Sequence, residues 1–123
     1  VSSALYVIML IPEIKNYYAI APDFFEIDGW VPDDPEHVDF WLRLCIGETG
    51  KEGADFYDVH VVTQNQMSQV KKSDYIHMIP WYNSSQELIK ELKAKVAKCQ
   101  DVSWIGVQDQ LRKMFHWEYE GMR

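Results

Sequence analysis

Val38-Asp39-Phe40-Trp41-Leu42-Arg43-Leu44-Cys45-Ile46 is the stretch on which the fold turns. Every second residue is apolar, a period of two that predicts a half-buried strand. Val38, Phe40, Leu42, Leu44 and Ile46 would share one face, with Asp39, Trp41, Arg43 and Cys45 on the other. Gly47 to Gly53 follows with three glycines in seven residues, the composition of a hairpin loop. Asp55 to Thr63 then returns, with Tyr57, Val59, Val61 and Thr63 opposite Phe56, Asp58, His60 and Val62. A hairpin pairing 38–46 with 55–63 is therefore the expected centre of a sheet.

Outward from that hairpin, the apolar and β-branched run Leu5 to Leu10 ends at Pro12 and predicts a first strand. Residues 12 to 37 hold several prolines and turn formers without a clean period, and Asn16 to Ala21 suggests a helical turn. Tyr75 to Trp81 is a shorter fourth strand. Ser84-Ser85-Gln86-Glu87 is a capping-box opening, and Leu88, Leu92, Val96 and Cys99, helped by Ile89, form one apolar stripe. Ser103 caps a second helix carrying Trp104, Val107, Leu111 and Phe115, and His116 to Glu120 closes with a short strand. The expected architecture is α+β. One domain over residues 1–123 has a mostly antiparallel sheet of four to five strands against two α-helices from the C-terminal half.

Charge is distributed unevenly. Eleven of the nineteen acidic side chains fall between Asp23 and Asp58, among only two basic ones, Arg43 and Lys51, whereas the remainder is slightly positive. Trp30, Phe40, Trp41, Leu42, Phe56 and Val59 interleave with these acids, which sets the segment apart from an acidic disordered tail. A folded surface of one sign attracts cationic partners and repels nucleic acid. The alternative is a solvated face kept charged for solubility. Five Trp and seven Tyr exceed the needs of so small a core, and some can serve as interface anchors.

Other chemistries find little support. The cysteines, Cys45 and Cys99, are too few for a disulfide framework and fit reduced, buried thiols in a cytoplasmic protein. Ala4 to Ile11 is too short to span a bilayer and lacks a basic leader, so no membrane association is expected. His37, His60, His77 and His116 show no metal-ligand spacing, and no metal or other cofactor is expected. Asp58 and His60, two apart on one strand face, could begin a general base, with Asp55 nearby, which gives a small hydrolase as the alternative function. The glycine loop lacks the phosphate-loop spacing, and its two Glu would repel a phosphate. Lys90, Lys93, Lys95 and Lys98 are an ordinary solvated helix face, and a net charge of −7 opposes nucleic-acid binding. A third possibility is an assembly or ligand-binding domain that buries a partner or a small apolar molecule on its sheet.

Read in order, Pro32-Asp33-Asp34-Pro35, Leu42 to Ile46-Gly47, Gly50 to Gly53, and Phe56, Val59 and Val61 form a recognisable series. Ser103-Trp104 with Leu111 and the closing Trp117-Glu118-Tyr119-Glu120 continue it. From about Trp30 to Glu120 the chain resembles the immunity protein 8 family of bacterial polymorphic toxin and contact-dependent inhibition systems. Where a Thr-Pro-aromatic step often follows the third strand, this chain reads Thr63-Gln64-Asn65-Gln66. The resemblance implies a cytoplasmic antidote, not an enzyme, that binds the C-terminal domain of a cognate toxin as a 1:1 complex. It implies no catalytic residues. The charge pattern independently suits a nuclease toxin, whose phosphate-binding surface must be basic. The expected toxin-binding residues are Asp33, Asp34, Glu36, Asp39, Glu48, Glu52, Asp55 and Asp58, with Trp30 and Trp41 as aromatic anchors.

Overall fold

The hairpin forms as its alternation requires. In the computed structural model, which describes residues 8–121, β1 (Pro12–Ala21), β2 (Asp39–Glu48) and β3 (Asp55–Thr63) pair antiparallel in sequence order. β4 (Ile76–Ile79) joins β3 in parallel, and β5 (His116–Trp117) joins it antiparallel, completing a five-stranded, mostly antiparallel sheet. β3 thus shares one edge between two short strands, its residues 60–63 facing β4 and Tyr57 and Asp58 facing β5. Phe40 opposite Val61, Leu42 opposite Val59 and Leu44 opposite Tyr57 put the apolar alternates of both strands on one face. All six are at most 2% exposed.

That face is covered by the helices. Helix α1 (Ser85–Ala97) starts at Ser84, whose hydroxyl accepts from the Glu87 backbone N–H at 3.1 Å. Leu88, Ile89, Leu92 and Val96 point into the core with the strand residues. Burying each such side chain contributes about 1.5–3 kcal/mol of transfer free energy. Helix α2 (Trp104–Leu111) starts at Ser103, which accepts from the Gly106 N–H at 3.1 Å, and adds Val107 and Leu111. Cys45 and Cys99 are buried free thiols. No helix among the described residues is long and apolar enough to cross a membrane.

The N-terminal third departs from expectation. The first strand expected over Leu5 to Leu10 lies partly outside the described residues, and within them Leu10 makes only an isolated bridge to Asp101. The strand that pairs with β2 is instead β1, over the segment read as irregular, and Asn16 to Ala21 is extended, not helical. Two register shifts, between Ile14 and Asn16 and between Ala19 and Ala21, explain the misreading. Each irregularity moves the following side chains out of phase, which erases a period of two from the sequence while keeping the strand.

The glycine loop turns as expected. Gly50 and Gly53 adopt φ of 80° and 95°, the left-handed region open mainly to glycine. Gly47 needs the absence of a side chain for another reason: a Cβ there would lie 2.1 Å from the Gly53 carbonyl oxygen.

Candidate functional site

Residues 22–38 connect β1 to β2 without regular structure, yet they are held at many points. Ala19 and Phe25 exchange two backbone hydrogen bonds, at 2.8 and 3.2 Å. Asp28 accepts from the Tyr17 hydroxyl at 2.9 and 3.0 Å and from the buried Ser85 hydroxyl at 2.8 Å, tying the loop to α1. Burial, then the Asp28 carboxylate, raises the Tyr17 pKa. Pro35 accepts from the Tyr82 N–H at 2.7 Å. The Thr63 hydroxyl donates to the Glu36 carbonyl at 2.7 Å and accepts from the Val38 N–H at 2.9 Å, fixing where β2 begins. A loop with so many ties is pre-organised, and binding to it costs little ordering entropy.

This ordering creates a cleft at the leading end of β2. Phe25, Trp30 and Phe40 form its floor, with ring centroids 4.8 to 5.9 Å apart. Asp23, Asp33, Asp34 and Asp39 line it together with His37, Pro22 and Pro32, around a volume of about 390 Å³. Phe24 and Val31, next to lining residues in sequence, are 71% and 80% exposed. Asp34 accepts from the Glu36 N–H at 3.0 Å and contacts His37 Nδ1 at 2.9 Å. The Glu36 backbone bond first, and His37 second, hold the Asp34 carboxyl below the usual carboxylate range. It therefore stays charged across the physiological range.

Four of the expected residues, Asp33, Asp34, Asp39 and Trp30, meet in this cleft, and Glu36 is exposed beside it. Trp30 is half-buried, with edge contacts to Phe40 and Tyr82, so its ring serves core and cleft together. Trp41 lies on the other sheet face and stacks on His60 at 4.8 Å and 10°. Asp39 borders both faces, lining the aromatic cleft and a second one with Trp41, His60, Lys71 and Lys72.

The remaining acids lie elsewhere. Glu48 and Glu52 flank the glycine turn, Glu48 standing nine residues along β2 from Asp39, or roughly 30 Å at strand rise. Glu48 pairs with Lys51 at 3.1 Å, and Asp55 accepts from Trp117 Nε1 at 3.2 Å. Asp58 takes a bidentate hold of Arg43, at 2.9 and 3.1 Å, while the guanidinium lies 4.8 Å above the Phe56 ring. The Asp58 hydrogen bond raises the Arg43 pKa despite desolvation.

Asp58 and His60 consequently form no dyad. Each is paired across the strand, Asp58 with Arg43 and His60 with Trp41, and His60 Nε2 contacts Asp39. Directly opposed residues on neighbouring strands stand closer than i, i+2 neighbours on one strand, so these pairings dominate. Among the described residues no group of three His, Cys, Asp or Glu could hold a metal ion.

Sequence reasoning missed Asp23 and Phe25, which complete the cleft. Their signal was an aromatic-acidic composition inside a segment without period, where pattern reading has no template. No curated protein and no solved structure gives a significant match to the chain. The family model described as Immunity protein 8 matches residues 13–122, nearly the whole chain and all five strands and both helices. The chain belongs to the immunity protein 8 family, and with it to the proteins that protect against toxins.

Proposed function

We propose that this immunity protein neutralises a nuclease toxin in the cytoplasm, as a 1:1 complex, by presenting the acidic leading end of β2 to the toxin's basic substrate surface. The carrying observation is the concentration of Asp23, Asp33, Asp34, Glu36 and Asp39 on one pre-organised loop and strand end, where the side-chain partners of Asp34 and Asp39 are imidazoles, His37 and His60. A nuclease must keep cationic side chains where phosphates bind. Carboxylates placed on those side chains exclude substrate and speed encounter, towards about 10⁸–10⁹ M⁻¹s⁻¹ at low salt against roughly 10⁵–10⁶ for neutral pairs. Protection of this kind needs binding and no turnover.

The test replaces Asp33, Asp34 and Asp39 with Asn and Glu36 with Gln, confirms folding, and measures association with the cognate toxin domain at low and high salt. A fall of about tenfold or more at low salt, vanishing at high salt, is expected. An unchanged rate and salt dependence would relegate the acids to solubility.

A further inference from the structure

We infer that the cleft floored by Phe25, Trp30 and Phe40 and rimmed by Asp33, Asp34 and Asp39 is a receptor for one arginine side chain of the toxin. The inference rests on the proposed function and specifies how the leading end makes contact. The cleft sets aromatic rings beneath its acids, a combination that a solubility surface has no use for. Its floor is built from three aromatic rings in mutual contact, the buried Phe40 backing the part-exposed rings of Phe25 and Trp30, and it is against those two that a planar group can lie. Its rim is anionic, and Val31, between the lining residues Trp30 and Pro32 in the chain, is an exposed apolar side chain that a protein partner can cover.

The chemistry selects the occupant by elimination. A phosphate or carboxylate would be repelled by the rim. A neutral apolar group would desolvate those carboxylates and give them no partner in return. A metal ion lacks a ligand set among the described residues. A guanidinium satisfies both parts at once, because its edge donates in a fork to carboxylates while its plane stacks on aromatic rings. An arginine drawn from a nuclease's phosphate-binding surface would be removed from the reaction in the same step that anchors the complex.

The experiment needs no toxin. Isotope-labelled protein is titrated with Nα-acetyl-arginine amide and, separately, with Nα-acetyl-citrulline amide, which has nearly the same shape without the charge, and the indole N–H signal of Trp30 is followed by NMR. The arginine amide should shift that signal saturably, and the citrulline amide should bind about tenfold more weakly or not at all. Asp33→Asn with Asp39→Asn should weaken the arginine amide about fivefold or more, while Glu48→Gln with Glu52→Gln should leave its affinity unchanged. A Trp30 signal that does not move, equal binding of both amides, or shifts confined to the Trp41 cleft or the glycine turn would each overturn the inference. Should the aspartate variant misfold, the comparison of the two amides on the unaltered protein still decides. Failure here with a salt-dependent toxin association intact would remove the arginine receptor and leave the acidic inhibitor. Arginine binding with salt-independent toxin association would do the reverse.

Discussion

At the leading end of β2, Asp33, Asp34 and Asp39 gather around the part-buried rings of Phe25 and Trp30, beside a loop tied down by Asp28, Thr63 and Tyr82. At the far end of the same strand, Glu48 meets Lys51, Asp55 meets the Trp117 indole, and Trp104 borders a smaller cleft of about 290 Å³. Both ends are acidic in sequence, and between them Asp58 is fully occupied by Arg43. What differs is the kind of partner that holds the charge: imidazoles at the leading end, where Asp34 meets His37 and Asp39 meets His60, against the cations Lys51 and Arg43 for Glu48 and Asp58. An imidazole offsets a carboxylate only when protonated, whereas lysine and arginine do so always, so the leading end keeps more of its negative charge. A linear count of acids mixes the two kinds, and the segment from Asp23 to Asp58 resolves in three dimensions into two acidic ends and a bridged middle.

The strongest way to break this contrast is to loosen the frame that separates the two ends. Leu92 is fully buried at the centre of the α1 stripe, and Leu92→Ala should cost about 2–5 kcal/mol in urea unfolding. Unaltered stability would mean that α1 does not seat the sheet as described. Next in size, Arg43→Ala should destabilise by about 1–3 kcal/mol, because the Asp58 side chain, 16% exposed, would lose both of its charged hydrogen bonds. Toxin association should stay within about twofold of the original. A large loss of association with normal stability would move the interface to the uncovered sheet face.

A smaller effect sharpens the contrast directly. Glu48→Gln with Glu52→Gln should change association by less than about twofold at low salt, since Lys51 already offsets part of that charge. A tenfold drop would make the glycine turn a second contact. The smallest effect comes from β4, where His77 lies two strands across from Phe40. His77 is buried between Glu91, at 3.2 Å, and Lys95, at 2.8 Å, and desolvation first, then Lys95, lowers its pKa below the ordinary 6.5. The unfolded chain therefore binds this proton more readily. His77 contributes stability that is present above pH 6.5 and is lost as the pH falls towards its lower folded pKa. Urea midpoints should decline over that acidic window, less so in His77→Gln, with no matching change in the contribution of the leading-end acids to association. A decline equally steep in the variant would assign the acid sensitivity to other groups.

How much was legible follows from the same distinction. β2, β3 and both helix starts were readable because alternation and capping residues are local signals, and Ser84 and Ser103 cap as their sequence implies. β1 was not, because irregular register at two places hides a strand from any fixed period. The cleft was half legible. Its acids stood out by composition, but their convergence on Phe25 and Trp30 depends on long-range ties such as Asp28 to Ser85, 57 residues apart, that no local pattern carries. The partners of Asp58 and His60 were missed for the related reason that strand register, not spacing along the chain, decides who stands opposite.

The shared edge of β3 has a consequence in time. Tyr57 pairs with Trp117, and the Glu118 carboxylate accepts from the Phe56 N–H at 3.0 Å, 62 residues away. During synthesis that part of the edge stays unpaired until residues 116–118 have left the ribosome, long after β2 and β3 could have met. Contacts of such sequence separation also slow folding. Full protection must therefore lag translation of the chain, and a cell relying on this antidote is safest when a stock of finished molecules precedes the toxin's arrival.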